Sequence, residues 1–117
     1  MVGKPIPARE PEDLSRLFVE SVNAQDIEGL VDLYEPDAVV ATPDGGTVRG
    51  AAAIREFYAN LLATKPTFTQ GQQWPALLVG NLALTSTRLP GGGATAEVAR
   101  RQPDGSWRWV ADRPNVV

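Results

Sequence analysis

Cysteine and histidine are both absent from the 117 residues of this chain. Without cysteine there is no disulfide, no thiolate nucleophile and no sulfur-ligated metal. Without histidine the commonest proton-transfer group near neutral pH is missing, and with it histidine-bound zinc and every Ser-His or Cys-His arrangement. Proton transfer therefore falls to Asp, Glu or Tyr, or to a bound cofactor. An excess of positive charge is also absent: 11 Lys and Arg stand against 14 Asp and Glu, a net charge of -3. With no basic stripe, neither nucleic acid nor anionic lipid is an expected partner. No apolar run approaches the roughly 18 residues of a membrane span. The opening MVGKPIPARE lacks the apolar segment of a signal peptide, so a cytoplasmic location is the default expectation.

What is present suits one small domain with a packed core. Residues 1–10 carry two prolines and no periodicity, and read as an extended lead to a single domain over 11–117. Pro11 suits a first helical turn, followed by Glu12 and Asp13 where the helix dipole favours acids. Leu14, Leu17, Phe18 and Val22 then form an apolar stripe at helical spacing. Asp26 can cap a second helix with Ile27, Leu30, Val31 and Tyr34 facing inward, ended by Pro36. Ala38–Thr42 reads as a short strand, Pro43-Asp44-Gly45-Gly46 as a turn, and Thr47–Arg49 as a returning strand. Gly50 opens a third helix with Ile54, Phe57, Tyr58, Leu61 and Leu62 on its inner face, and Pro66 closes it.

The second half reads as strands over 67–75, 77–80, 82–89, 94–102 and 106–113. Gly80-Asn81 and Pro103-Asp104-Gly105 are the hairpin signals. Helices first and strands afterwards predict an α+β fold with an antiparallel sheet curling over the helices.

The phrases FVESVNAQDIEGLVDLYEPDAVV, VRGAAAIREFYANLL and RRQPDGSWRWVAD resemble the SnoaL-like and ketosteroid-isomerase-like group of the nuclear-transport-factor-2-like superfamily. The resemblance implies a cone-shaped half-barrel, with a curved mixed or antiparallel sheet wrapped over three N-terminal helices around a deep apolar pocket. It implies a small hydrophobic molecule as partner and a homodimer through the outer sheet face, with no cofactor and no metal. It does not imply one activity, because the superfamily holds isomerases, dehydratases, cyclases, epoxide hydrolases and non-catalytic binding domains.

Matched motif to motif, the isomerase base falls on Thr42 and the isomerase donor tyrosine on Phe18, so ordinary steroid isomerisation is not expected. The isomerase's protonated acid falls near Glu97. Tyr34 and Tyr58 match positions of supporting aromatic residues. Tyr58 is then a hydrogen-bond donor on the helix wall, or both tyrosines are ordinary core aromatics. Asp112 resembles the final-strand aspartate of the limonene-epoxide-hydrolase branch, for which Arg100, Arg101 and Arg108 are candidate companions. The catalytic candidates are thus Glu97, Asp112 and Tyr58. The ligand-lining candidates are Phe18, Tyr34, Thr42, Phe57, Leu61, Trp74 and Val110.

The facing of the last strand stays open at this level. Trp107, Trp109 and Ala111 alternate against Arg108, Val110 and Asp112. The resemblance turns Val110 and Asp112 toward the pocket and the tryptophans outward, into a dimer. A simple hairpin count instead pairs Glu97 with Ala111 on the tryptophan side. A β-bulge reconciles the two, since a one-residue shift flips every side chain beyond it.

Overall fold

The computed structural model describes residues 7–116. Helix α1 (Asp13–Asn23) follows a turn in which the Leu14 N–H bonds the Pro11 carbonyl at 3.2 Å. It buries Leu14 and Val22, while Leu17 and Phe18 pack against the core. Helix α2 (Ile27–Val31) carries the expected cap: the Gly29 N–H donates to Asp26 Oδ1 at 2.9 Å, satisfying a donor the helix leaves free. Helix α3 (Ala51–Leu62) starts at Gly50, whose φ of +88° is readily reached only without a Cβ. The Gly50 N–H bonds the Ala38 carbonyl at 2.9 Å, tying the helix start to the first strand. Ile54, Tyr58 and Leu62 form its buried face.

The strands are β1 (Tyr34–Ala41), β2 (Thr47–Arg49), β3 (Gln72–Gln73), β4 (Leu77–Val79), β5 (Leu82–Thr85), β6 (Thr87–Arg88), β7 (Ala96–Arg101) and β8 (Trp107–Arg113). Six of them form one sheet in the order β2-β1-β8-β7-β5-β4, and β3 pairs with β6 separately. The pairing of β1 with β8 is parallel and the other pairings are antiparallel. The mixed, curved sheet over three helices is the expected cone architecture.

Several expected boundaries move, each for a physical reason. Tyr34 begins β1 and does not belong to α2, and Pro36 lies inside that strand instead of ending a helix. Pro36 falls within the register shift between Tyr34 and Val39, where a missing N–H interrupts no regular ladder. The expected strand over 67–75 contracts to Gln72–Gln73. Upstream of it, the Asn23 amide takes the place of a neighbouring strand. Its Nδ2 donates to the Phe68 carbonyl at 2.9 Å, and its Oδ1 accepts the Phe68 N–H at 2.8 Å. The strand expected over 82–89 breaks at Ser86 into β5 and β6. Of the expected lead, residues 1–6 lie outside the described residues. Ala8 is buried, and its carbonyl accepts the Trp107 N–H at 3.0 Å.

One sheet face packs on the helices through Ala38, Val40, Ala83, Ala99, Trp107 and Trp109. Buried side chains of this size contribute about 1.5–3 kcal/mol each for the larger apolar ones. The opposite face exposes Leu77, Leu82 and Leu84.

Candidate functional site

The closing hairpin sets the site. Its turn is fixed by Asp104 Oδ1, which accepts the Ser106 N–H at 2.9 Å and the Ser106 hydroxyl at 2.6 Å. From there the register runs Arg101 opposite Trp107, Arg100 opposite Arg108 and Ala99 opposite Trp109. It then shifts, so that Val98 lies opposite Ala111 and Glu97 opposite Asp112. Val110 is the extra residue of a β-bulge. Before the bulge, Trp107 and Trp109 face the helices; after it, Asp112 faces the same way.

Two expectations are thereby corrected. The tryptophan pair, expected on the outer sheet face, lies in the interior at 8% and 3% exposure. Val110, expected to face the ligand, is the bulged residue and stays only half-buried. The inward Asp112 and its pairing with Glu97 agree with the bulged register.

Under the helices the buried polar groups form two chains. In the first, the Tyr34 hydroxyl donates to Asp112 Oδ2 at 2.5 Å, and the Tyr34 and Tyr58 hydroxyl oxygens are 2.7 Å apart. In the second, the Trp109 indole N–H donates to Thr85 Oγ1 at 3.4 Å, and the Thr85 hydroxyl donates to Glu97 Oε1 at 2.6 Å. All six of these side chains are buried. The chains share an aromatic wall. Phe18 packs edge-on against Tyr58 at 5.7 Å and Trp109 at 6.1 Å, and Tyr34 lies 5.3 Å from Trp109 between ring centres.

Burial dominates the electrostatics. It pushes the Asp112 carboxyl up to about 7, with a further rise from Glu97 and a partial offset from the Tyr34 hydrogen bond. Glu97 is raised by burial against the opposing bonds from Thr85 and Thr95. Burial, then the Asp112 charge, lifts both Tyr34 and Tyr58 above the usual phenol value, so both stay protonated at neutral pH. The salt bridges among the described residues join Arg16 to Asp13 and Glu20, Arg55 to Glu28, and Arg100 to Glu35, away from both buried acids. Arg100 and Arg108 sit opposite each other between the inward-facing positions, so they point outward. No three His, Cys, Asp or Glu side chains among the described residues converge to hold a metal ion.

The structure therefore brings together Phe18, Tyr34, Tyr58, Glu97 and Asp112. Thr42 and Phe57 lie apart from this group, in a cleft of about 390 Å³ also lined by Pro43, Asp44 and Val48. There the Thr42 hydroxyl donates to Asp44 Oδ1 at 2.5 Å. Phe57 also packs edge-on against Tyr58 at 5.0 Å, so one aromatic ring stands between the cleft and the buried tyrosines. A second cleft of about 430 Å³ is lined by Asn81, Arg100, Arg101, Gln102 and Pro103. Neither cleft is lined by Glu97, Tyr58 or Asp112. Leu61 packs half-buried against the core, and Trp74 is 47% exposed.

Sequence reasoning missed Thr85 and Trp109 as members of the polar chains. The available signal was the alternation of Leu82 and Leu84 against Ala83 and Thr85, which places one hydroxyl on a small-residue face.

The SnoaL-like domain family matches residues 15–112 of this sequence. This chain is a member of the SnoaL-like family. Three solved structures show the same fold. One is a protein of unknown function from Mycobacterium tuberculosis (24% identity over 87% of this chain and 70% of that one, TM-score 0.71). Another is a SnoaL-like protein of unknown function from Burkholderia thailandensis (20% identity, 93% and 96% covered, TM-score 0.62). The third is a ketosteroid isomerase-like protein from Erwinia carotovora atroseptica (17% identity, 87% and 89% covered, TM-score 0.67). Within this SnoaL-like domain, no helix among the described residues is long and apolar enough to cross a membrane.

Proposed function

We propose that this SnoaL-like protein is a cofactor-free acid–base enzyme acting on a small, uncharged, apolar molecule of polycyclic, polyketide or terpenoid type. The observation that carries this reading is the cross-strand pair Glu97 and Asp112, buried together with hydroxyl donors and with no cation among the described residues bonded to either. A carboxyl held near neutrality both accepts and returns a proton at working pH, which suits isomerisation, cyclisation or hydrolysis. A second carboxyl on the adjacent strand disfavours an anionic substrate in so dry a place. Asp112 is the proton acceptor, Glu97 its partner, and Tyr58 a donor packed against Phe57, whose ring lines the cleft by which the ligand would enter.

The test is turnover of a panel of neutral polycyclic ketones and epoxides. Asp112→Asn lowers the rate of any substrate found by about 100- to 10,000-fold, the range of one general acid or base, while the fold is kept. Unchanged turnover in both Asp112→Asn and Glu97→Gln removes the assignment. Phe57→Ala, which opens the cleft toward Tyr58, changes KM more than kcat.

A specific observation also favours a non-catalytic binding module: both clefts named above are lined by residues other than the acids. On that reading a molecule co-purified with the protein, found by native mass spectrometry, binds Asp112→Asn as well as wild type and is returned chemically unchanged.

We further propose a homodimer through the outer sheet face. Leu77, Leu84, Val98 and Ala111 form one continuous row across four strands there, with Leu77 and Leu84 at 64% and 47% exposure. Sedimentation at micromolar concentration gives twice the 12.5 kDa chain mass for wild type and the single-chain mass for Leu84→Asp. A wild-type monomer overturns this arrangement.

A further inference from the structure

The hydroxyl chain beside Asp112 has a direction, and donor counting fixes it. An ionised carboxylate only accepts hydrogen bonds, and each phenol has one proton to give. Tyr34 gives its proton to Asp112 Oδ2. The contact of 2.7 Å between the two phenol oxygens must then be filled by the proton of Tyr58. Tyr58 consequently has nothing left to offer a ligand while Asp112 is charged.

A proton placed on Asp112 Oδ2 reverses every bond in the row. The carboxylic O–H donates to Tyr34, Tyr34 donates to Tyr58, and the Tyr58 O–H is released. The heavy atoms need not move, because each hydroxyl only rotates about its own C–O bond. We propose that Tyr34 is a positioning residue that transmits the protonation of Asp112 to Tyr58, so that Tyr58 donates a hydrogen bond into the site only when Asp112 holds a proton.

This deepens the acid–base reading above and rests on the same site, yet it concerns proton placement and holds whether or not a substrate turns over. The titratable groups facing Asp112 are Tyr34 from β1, Tyr58 from α3 and Glu97 from β7. Glu97 is engaged with Thr85 in a separate chain. The α1 helix presents the uncharged Phe18 to this side of β8, against Trp109.

The experiment is carbon NMR of the full chain labelled at the tyrosine Cζ and the aspartate carboxyl, titrated through the Asp112 midpoint. In wild type the Tyr34 and Tyr58 signals step with the Asp112 midpoint although neither phenol ionises. In Tyr34→Phe, Asp112 still titrates and the Tyr58 step shrinks to the small part that the Asp112 charge exerts through space. In Tyr58→Phe, the Tyr34 step remains. A Tyr58 step of undiminished size in Tyr34→Phe reports the Asp112 field alone, acting through space, and overturns the relay. A wild-type Tyr58 signal that is flat across the midpoint overturns it as well, whatever the stability of the variants. Loss of turnover in Asp112→Asn together with a flat Tyr58 signal removes the relay and leaves the acid–base reading. A relayed step in a protein that turns over nothing supports the relay and removes catalysis.

Discussion

Two aspartates of this protein accept a 2.5 Å hydrogen bond from a neighbouring hydroxyl, and their acidities move in opposite directions. Asp44, fully exposed in its turn, accepts from Thr42 and from the Gly46 N–H at 2.9 Å, and its pKa is lowered, chiefly by the Thr42 bond. Asp112, under the helices, accepts from Tyr34 and is raised to about 7, chiefly by burial. In both places the hydroxyl favours the charged form. The difference is water. From an ordinary 3.8 to about 7 is roughly three units, or about 4 kcal/mol by which lost hydration and the Glu97 charge outweigh the Tyr34 bond. A short hydrogen bond to a carboxylate is therefore no guide to its acidity until its exposure is known.

The largest effect expected from this contrast is on stability as a function of pH. Asp112 holds its proton in the native state up to about 7 but loses it near 3.8 once unfolded. Stability is thus fully present below about 4, falls as pH rises to about 7, and levels off beyond, a loss of roughly 4 kcal/mol. Glu97, also raised, adds a slope of the same sign. Asp112→Asn removes most of this slope and is more stable than wild type in urea denaturation on the alkaline side of 7. An unchanged slope in Asp112→Asn breaks the comparison.

Next in size is Tyr34→Phe, which leaves the Asp112 oxygen without its donor. Its cost is about 1–3 kcal/mol where the carboxylate is charged, and the carboxyl midpoint, followed by carbon NMR, moves further up. Thr85→Val sharpens the comparison on the second acid. It raises the Glu97 midpoint and costs about 1 kcal/mol by the same reasoning. The smallest effect belongs to Asp44→Asn and carries the opposite sign. Asp44 stabilises above its unfolded value of 3.8, and that contribution disappears as pH falls through its lower native value. The variant is therefore slightly less stable than wild type at neutral pH, and the two converge in acid. Thermal melts at both ends check this; a stabilised variant at neutral pH contradicts it.

Much of the fold was legible because the first half is written in local signals. The Leu14 and Val22 stripe, the Asp26 cap and Gly50 each state a helix or its end within a few residues. The turn at Asp104-Gly105 did the same for the last hairpin. Less legible were elements decided by distant partners. Pro36 looked like a helix stop because nothing nearby reveals that β1 pairs in parallel with the last strand of the chain. Phe68 looked like strand because its partner is a side chain 45 positions away. Of the candidate site, the two acids and Tyr58 could be named from residue type and motif position. The division between Asp112 with Tyr34 and Glu97 with Thr85 could not, since it depends on which rows the register aligns. The facing of Trp109 failed for the same reason: a strict alternation of two cannot carry both Trp109 and Asp112 to one side.

The bulge at Val110 has a consequence for how such proteins diverge. Straightening the bulge with no residue lost, so that Val110 rejoins the ladder, would restore plain alternation and bring the Ala111 methyl to the place where the Asp112 carboxyl now sits. The helices and the aromatic wall would stay, yet the Tyr34–Asp112 contact would be gone and Glu97 would lie opposite an alanine. An interior with two paired acids and one with a single acid are in this architecture neighbours one register step apart, with no need for either acid to be replaced.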